Sequence, residues 1–130
     1  MQKVFIFDDD ADILELCSLI LTNSGFEVIV RNNCENVVET VAAARPDVIL
    51  MDNWLPDIGG VRATKLLKAS EATSHIPVIF FSANNQTETF SHEAGADFYI
   101  QKPFNIEDLV HSVSKVIKDN SKKLSLPVSY

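Results

Sequence analysis

Two four-residue segments of this chain, Val48-Ile49-Leu50-Met51 and Val78-Ile79-Phe80-Phe81, are apolar at every position. A strand with one wet face alternates; an unbroken apolar run this short belongs to a strand covered on both faces. Such strands need helices above and below them, which restricts the chain to a layered α/β architecture. Three more segments supply strands: Val4–Phe7, stopped by Asp8-Asp9-Asp10, then Phe26–Val30 and Phe98–Ile100.

Helical signals lie between them. Ile13, Leu14, Cys17, Ile20 and Leu21 share one helical face, with Asp10 and Asp12 placed for an N-cap and an acidic first turn, and Gly25 for a stop. Val37, Val38 and Val41 mark a second helix closed by Arg45-Pro46. Turn-rich Pro56-Asp57-Ile58-Gly59-Gly60 leads into a third helix at Val61–Ala69, and residues 84–94 form a weakly amphipathic one ended by Gly95. Ile106, Leu109, Val110, Val113 and Ile117 define the last helix; from Asp119 the chain is polar and patternless apart from Leu124, Leu126 and Val128. The alternation predicts an α/β fold, a doubly wound five-stranded parallel sheet with five helices on its two faces. Residues 1–119 read as one domain and 120–130 as a C-terminal tail with no output domain.

Composition narrows the function. The 130 residues suffice for a core without staples. A net charge of −7, from 18 acidic against 11 basic residues, repels polyphosphate backbones, so direct nucleic-acid binding is not expected. No apolar run approaches the roughly 20 residues of a membrane span. Val4–Phe7 is too short for a signal peptide, so the chain is expected in the cytoplasm and off the membrane. Cys17 and Cys34 lack CxxC spacing and read as small buried thiols; His75, His92 and His111 are scattered and read as incidental.

In doubly wound sheets, ligands bind beyond the carboxyl ends of the strands. Those ends carry Asp8 and Asp9, Asp52, Ser82 and Lys102. Singly, each has a bland explanation: an acidic pair caps a helix, and a Lys-Pro belongs to a loop. Together they place three carboxylates where they repel one another, which a hard divalent cation relieves; few protein oxygens plus water suits Mg²⁺. With Lys102 and the Ser82 hydroxyl added, the pocket suits a dianionic phosphoryl group.

Four motifs in order carry a family resemblance: Phe7-Asp8-Asp9-Asp10, Met51-Asp52-Asn53-Trp54-Leu55-Pro56-Asp57-Ile58-Gly59-Gly60, Phe81-Ser82-Ala83 and Tyr99-Ile100-Gln101-Lys102-Pro103-Phe104. Over residues 3 to about 118 the chain resembles the receiver domain of two-component response regulators. The resemblance implies a flavodoxin-like sheet of order 2-1-3-4-5. It implies that Asp52 takes a phosphoryl group from a sensor histidine kinase or a histidine phosphotransfer protein. Asp9, Asp52 and the backbone carbonyl of Trp54 would bind Mg²⁺ directly and Asp8 through water, while Ser82 and Lys102 would hold the phosphoryl oxygens. Lys102-Pro103 would be a cis bond. Ser82 would then be drawn inward and Tyr99 would swing from exposed to buried, altering a surface of the fourth helix, last strand and last helix. The first helix, around Ala11, Ile13 and Leu14, would dock the kinase.

A signalling switch follows from that resemblance, one that promotes only its own Mg²⁺-dependent phosphorylation and dephosphorylation and acts on a downstream protein target, by output, relay or as a phosphate sink. The final helix, with His111, Ser112, Ser114 and Lys115, shows no self-complementary pattern, which points to a monomer. Trp54 has two readings, shielding an acyl phosphate from water or packing on its own loop; Asn84 is a second position able to tune access. The alternative function is a phosphorylation-independent adaptor of the same fold. An aspartyl-phosphate phosphatase would carry aspartate where Trp54 stands, and a flavin protein would need a Gly- or Ser/Thr-rich loop where Asp8-Asp9-Asp10 stands.

Overall fold

Five strands and five helices alternate along the chain: β1 (Lys3–Phe7), α1 (Ala11–Asn23), β2 (Glu27–Arg31), α2 (Val37–Ala44), β3 (Val48–Met51), α3 (Gly59–Ala69), β4 (Val78–Ser82), α4 (Thr87–Ala94), β5 (Phe98–Gln101) and α5 (Ile106–Ser125). The structure, a computed structural model, describes residues 1–83 and 86–125, with side chains as far as residue 122. All strand pairs are parallel and the sheet order is β2-β1-β3-β4-β5, as expected.

The unbroken apolar runs divide by period two between two cores. Val4, Ile6, Leu50, Ile79 and Phe81 face α1 and α5, meeting Leu14, Leu21, Leu109 and Val113. Phe5, Phe7, Ile49, Met51, Val78 and Phe80 face the opposite layer, meeting Val41 and Leu67. Each such side chain contributes about 1.5–3 kcal/mol on leaving water, so both faces of β1, β3 and β4 hold the sheet between its helices. Register fixes what emerges at the carboxyl edge. Phe7 pairs with Met51 and Met51 with Phe80, so the next residues, Asp8 and Asp52, leave the sheet side by side.

Local signals act where the sequence places them. Asp10 caps α1 by accepting hydrogen bonds from the amides of Asp12 at 2.9 Å and Ile13 at 3.4 Å. Arg45 closes α2 at φ +52°, ahead of Pro46. Several boundaries differ from the expectation: β1, β2, β4 and β5 each shift or extend by one residue, and helix α4 begins at Thr87 rather than at 84. Strand β2 begins at Glu27, because the amide of Phe26 still bonds Leu21 O at 3.0 Å. Helix α3 begins two residues early, at Gly59. Helix α5 runs to Ser125, so the stretch read as a tail from Asp119 continues the helix for another turn and more. Asn120 within it donates to His75 O at 3.3 Å. Residues 84 and 85, including Asn84, and residues 126–130 lie outside the described residues.

Candidate functional site

Asp8 follows β1 and Asp52 follows β3, each anchored by backbone before its side chain is considered. The Asp52 amide donates to Phe7 O at 2.9 Å, and the Asp8 amide to Arg31 O at 3.2 Å. Both carboxylates are buried, while Asp9 is exposed at their rim. Oxygens of Asp8, Asp9 and Asp52 lie within 4.8 Å of one another. Lys102 reaches in from beyond β5: its Nζ stands 2.5 Å from Asp8 Oδ2 and 3.3 Å from Asp52 Oδ1.

The electrostatics follow from that crowding. Burial pushes Asp52 up to about 6, Asp8 adds to the shift, and Lys102 only partly offsets it. Asp8 is also raised, by burial first, against the pull of Lys102. Burial works against the Lys102 charge, but Asp8 and Asp52 outweigh it and hold the ammonium above its ordinary value. Two buried carboxylates therefore share one cation, with the exposed Asp9 beside them.

The lysine is guided in from two sides. Its amide bonds Ser82 O at 2.9 Å, and its ammonium lies 4.6 Å from the centre of the Phe81 ring, a cation–π distance. The Lys102-Pro103 peptide is cis. Ser82 is buried at the end of β4, and its carbonyl also accepts from Thr87 Oγ1 at 3.2 Å, tying β4 to α4. Trp54 joins the site through its amide, which donates to Asp52 Oδ2 at 3.2 Å, and the residue is 61% exposed. Tyr99 is not in the cluster. It is half-buried on β5 against the core of the second layer, and partial burial followed by the neighbouring Glu88 raises its phenol.

Sequence reasoning missed three supporting positions. A Cβ at Gly60 would stand 2.0 Å from Asp52 O, so only glycine lets α3 start directly behind that residue, with the Gly60 amide on Asn53 O at 2.9 Å. The Gly59-Gly60 pair was the available signal. Nothing local distinguished Phe81 as a platform for Lys102, or Thr87 as the residue holding Ser82 O.

This geometry has known counterparts. A model of the response regulator receiver domain matches residues 4–114. The chain belongs to the receiver domain family of two-component response regulators. It is 31% identical over 121 residues to the DNA-binding response regulator MtrA of Mycobacterium tuberculosis, covering 92% of this chain and 52% of that protein. It is 32% identical over 119 residues to the phosphate regulon regulator PhoB of Pseudomonas aeruginosa, covering 90% and 52%. The receiver therefore spans about half the length of the curated relatives it matches. A CheY-like receiver domain protein from Methanospirillum hungatei superposes with a TM-score of 0.83 at 27% identity, covering 95% of this chain and 98% of that one. The receiver domain of sensor histidine kinase PA1611 from Pseudomonas aeruginosa, solved with a magnesium ion in its active-site cleft, gives 0.83 at 26% identity, covering 90% and 98%.

Receiver domains are signalling switches rather than enzymes in the usual sense, they interact with histidine kinases or phosphotransfer proteins, and they bind Mg²⁺ at an acidic cluster. The donor set of this receiver fits that ion. It offers only hard oxygen ligands, and its three carboxylates exceed its one ammonium by two charges. Among the described residues no helix is long and apolar enough to cross a membrane.

Proposed function

We propose that this receiver accepts a phosphoryl group on Asp52 from the phosphohistidine of a sensor kinase or phosphotransfer protein, and that the acyl phosphate changes its affinity for a downstream protein. The observation that carries the reading is the shared lysine: one ammonium spans Asp8 and Asp52 beside the exposed Asp9. A purely structural ion pair needs no second buried carboxylate and no third at its rim.

In this reading a carboxylate oxygen of Asp52 attacks phosphorus. An O–P bond forms as the P–N bond to the donor imidazole breaks, and the released electron pair stays on that nitrogen, which takes up a proton. Asp52 titrates at about 6, so at neutral pH it is the carboxylate that attack requires. Lys102, already in contact with Asp52, turns its ammonium to the incoming phosphoryl oxygens, and the Ser82 hydroxyl donates to another. Asp9, Asp52 and the Trp54 carbonyl would hold Mg²⁺, with Asp8 acting through water. When bound, the ion supplies the positive charge that lets an anionic nucleophile meet an anionic phosphoryl group. Inward movement of Ser82, with Tyr99 turning into the core, is the proposed switch, and α4, β5 and α5 the altered surface. By linkage, a partner responds only if it binds the two states unequally.

The exposed Trp54 indole, the only tryptophan, is the reporter. Its fluorescence is followed during titration with Mg²⁺ and then with beryllofluoride or acetyl phosphate, with mass spectrometry for the added phosphoryl group. A saturable metal response followed by a second change and a mass gain, both absent in Asp52→Asn, is expected. Protein that gains no mass would give the phosphorylation-independent adaptor the lead.

A further inference from the structure

A cavity of about 640 Å³ opens between the start of α2, the loop after β3 and the side of α3, outside the Asp8, Asp52 and Lys102 cluster. Its apolar lining includes Val38, Ile58 and Leu66, the last two 36% and 41% exposed. Its rim carries three exposed carboxylates, Glu35, Glu39 and Asp57, and none of its lining residues is a cation. Among the described residues, none of these carboxylates is in an ion pair. Arg62 lies between Ile58 and Leu66 on the helical stripe but outside the lining, which leaves the groove net acidic. At the floor, burial and the nearby Asp57 push the Cys34 thiol up to about 12, so it stays uncharged and adds to the apolar floor.

Acidic rims are ordinary on a chain of this charge, and single exposed leucines are too. The combination differs: an apolar trough open to solvent, bordered on both sides by unpaired carboxylates of one sign. We infer that this groove docks a segment of a partner protein that presents aliphatic side chains flanked by lysine or arginine. Aliphatic groups fill the trough and remove Ile58 and Leu66 from water, while the flanking cations meet Glu35, Glu39 and Asp57 and set orientation and specificity. The same chemistry disfavours an acidic segment, and disfavours a second copy of this acidic chain.

The proposal stands apart from phosphoacceptance, so its test omits metal and phosphoryl donor, and its failure leaves the Asp52 reading intact. The probe is a short synthetic helical peptide with leucines at i and i+4 flanked by lysines, paired with a counterpart whose lysines are glutamates. Binding to the isotope-labelled full chain is followed by amide chemical shifts. The lysine peptide should move amides around residues 34–39, 57–58 and 66, and the glutamate peptide should not. Leu66→Lys should weaken the lysine peptide about tenfold. Glu39→Lys should weaken it too and narrow the preference for the lysine peptide over the glutamate peptide, a change in selectivity that misfolding does not mimic. Both positions are exposed, and unchanged spectral dispersion confirms the fold. Shifts on other faces, equal response to both peptides, no binding, or affinities untouched by both variants would each overturn the assignment.

Discussion

The two ends of the sheet treat charge in opposite ways. At the amino end every buried or half-buried charge meets an answering group. Lys68 bridges to Asp97 at 2.6 Å and donates to Ile76 O at 2.8 Å, and the same Asp97 oxygen accepts from the Val78 amide at 2.8 Å. Lys3 donates its ammonium to Ala44 O and its amide to Asp47, both at 2.7 Å. At the carboxyl end two buried carboxylates share Lys102, and a third, Asp9, crowds their rim. One arrangement closes the edges of the fold; the other works against it and leaves a deficit of positive charge that an incoming group can fill.

Removing one carboxylate from each end should therefore move stability in opposite directions. Asp52 titrates at about 6 in the fold against 3.8 as an ordinary side chain. The folded state thus holds the extra proton between those values, stability falls as pH rises through that window, and the whole cost is present above it. In metal-free buffer at neutral pH, Asp52→Asn should raise unfolding stability by up to about 3 kcal/mol. The gain should vanish near pH 4, and added Mg²⁺ should shrink it by stabilising the native protein alone. Asp97→Asn should cost about 1 kcal/mol, through a weakened ion pair and a poorer acceptor for Val78. Urea unfolding as a function of pH measures both. Losses at both ends would break the comparison.

Glycines sharpen it further. At the carboxyl end, Gly60→Ala drives a methyl into Asp52 O and should cost about 2 kcal/mol by forcing α3 away. Because the displaced backbone carries Asp52, Mg²⁺ affinity should fall with it. At the amino end, Gly95 sits at φ +79° with open space around its would-be Cβ. Gly95→Ala should cost about 1 kcal/mol, from backbone strain alone, with metal affinity unchanged. Calorimetric Mg²⁺ titration beside thermal unfolding separates the two, and a Gly95 variant that loses metal would contradict the division.

The same contrast explains what was legible in the sequence. Strand runs such as Val78–Phe81 and the residues after them could be read directly, because a two-faced strand must be apolar and its carboxyl end is where chemistry collects. Asp8, Asp9, Asp52 and Lys102 do converge. Helix α5 beyond Asp119 was not legible, because the polar stretch from Asp119 carries no apolar stripe to mark a helical face. The start of α3 was obscured because Gly59-Gly60 is equally a turn signal. Which carboxylate lies nearer Lys102 depends on register and side-chain reach; the shorter contact falls to Asp8 rather than to Asp52. Long-range contacts of Gly60, Phe81 and Thr87 leave no mark in local pattern at all.

The smallest expected effect concerns a side chain that belongs to the carboxyl end yet contributes little to the fold. Trp54 holds its amide on Asp52 Oδ2 while exposing 61% of its surface. An exposed indole adds little stability, so a role for it beside the proposed phosphoacceptor would lie with the acyl phosphate, whose carbonyl and phosphorus it can screen from water. Trp54→Ala keeps the backbone amide and should change unfolding stability by no more than about 0.5 kcal/mol. It should nevertheless shorten the lifetime of the phosphorylated protein several-fold, measured as loss of radiolabel or of the added mass after the donor is removed. Leu19→Ala, at a comparably exposed site on α1, is the control and should leave the lifetime unchanged. Equal lifetimes for native and Trp54→Ala proteins would remove the shielding role and leave the amide as the only part of Trp54 that serves the site.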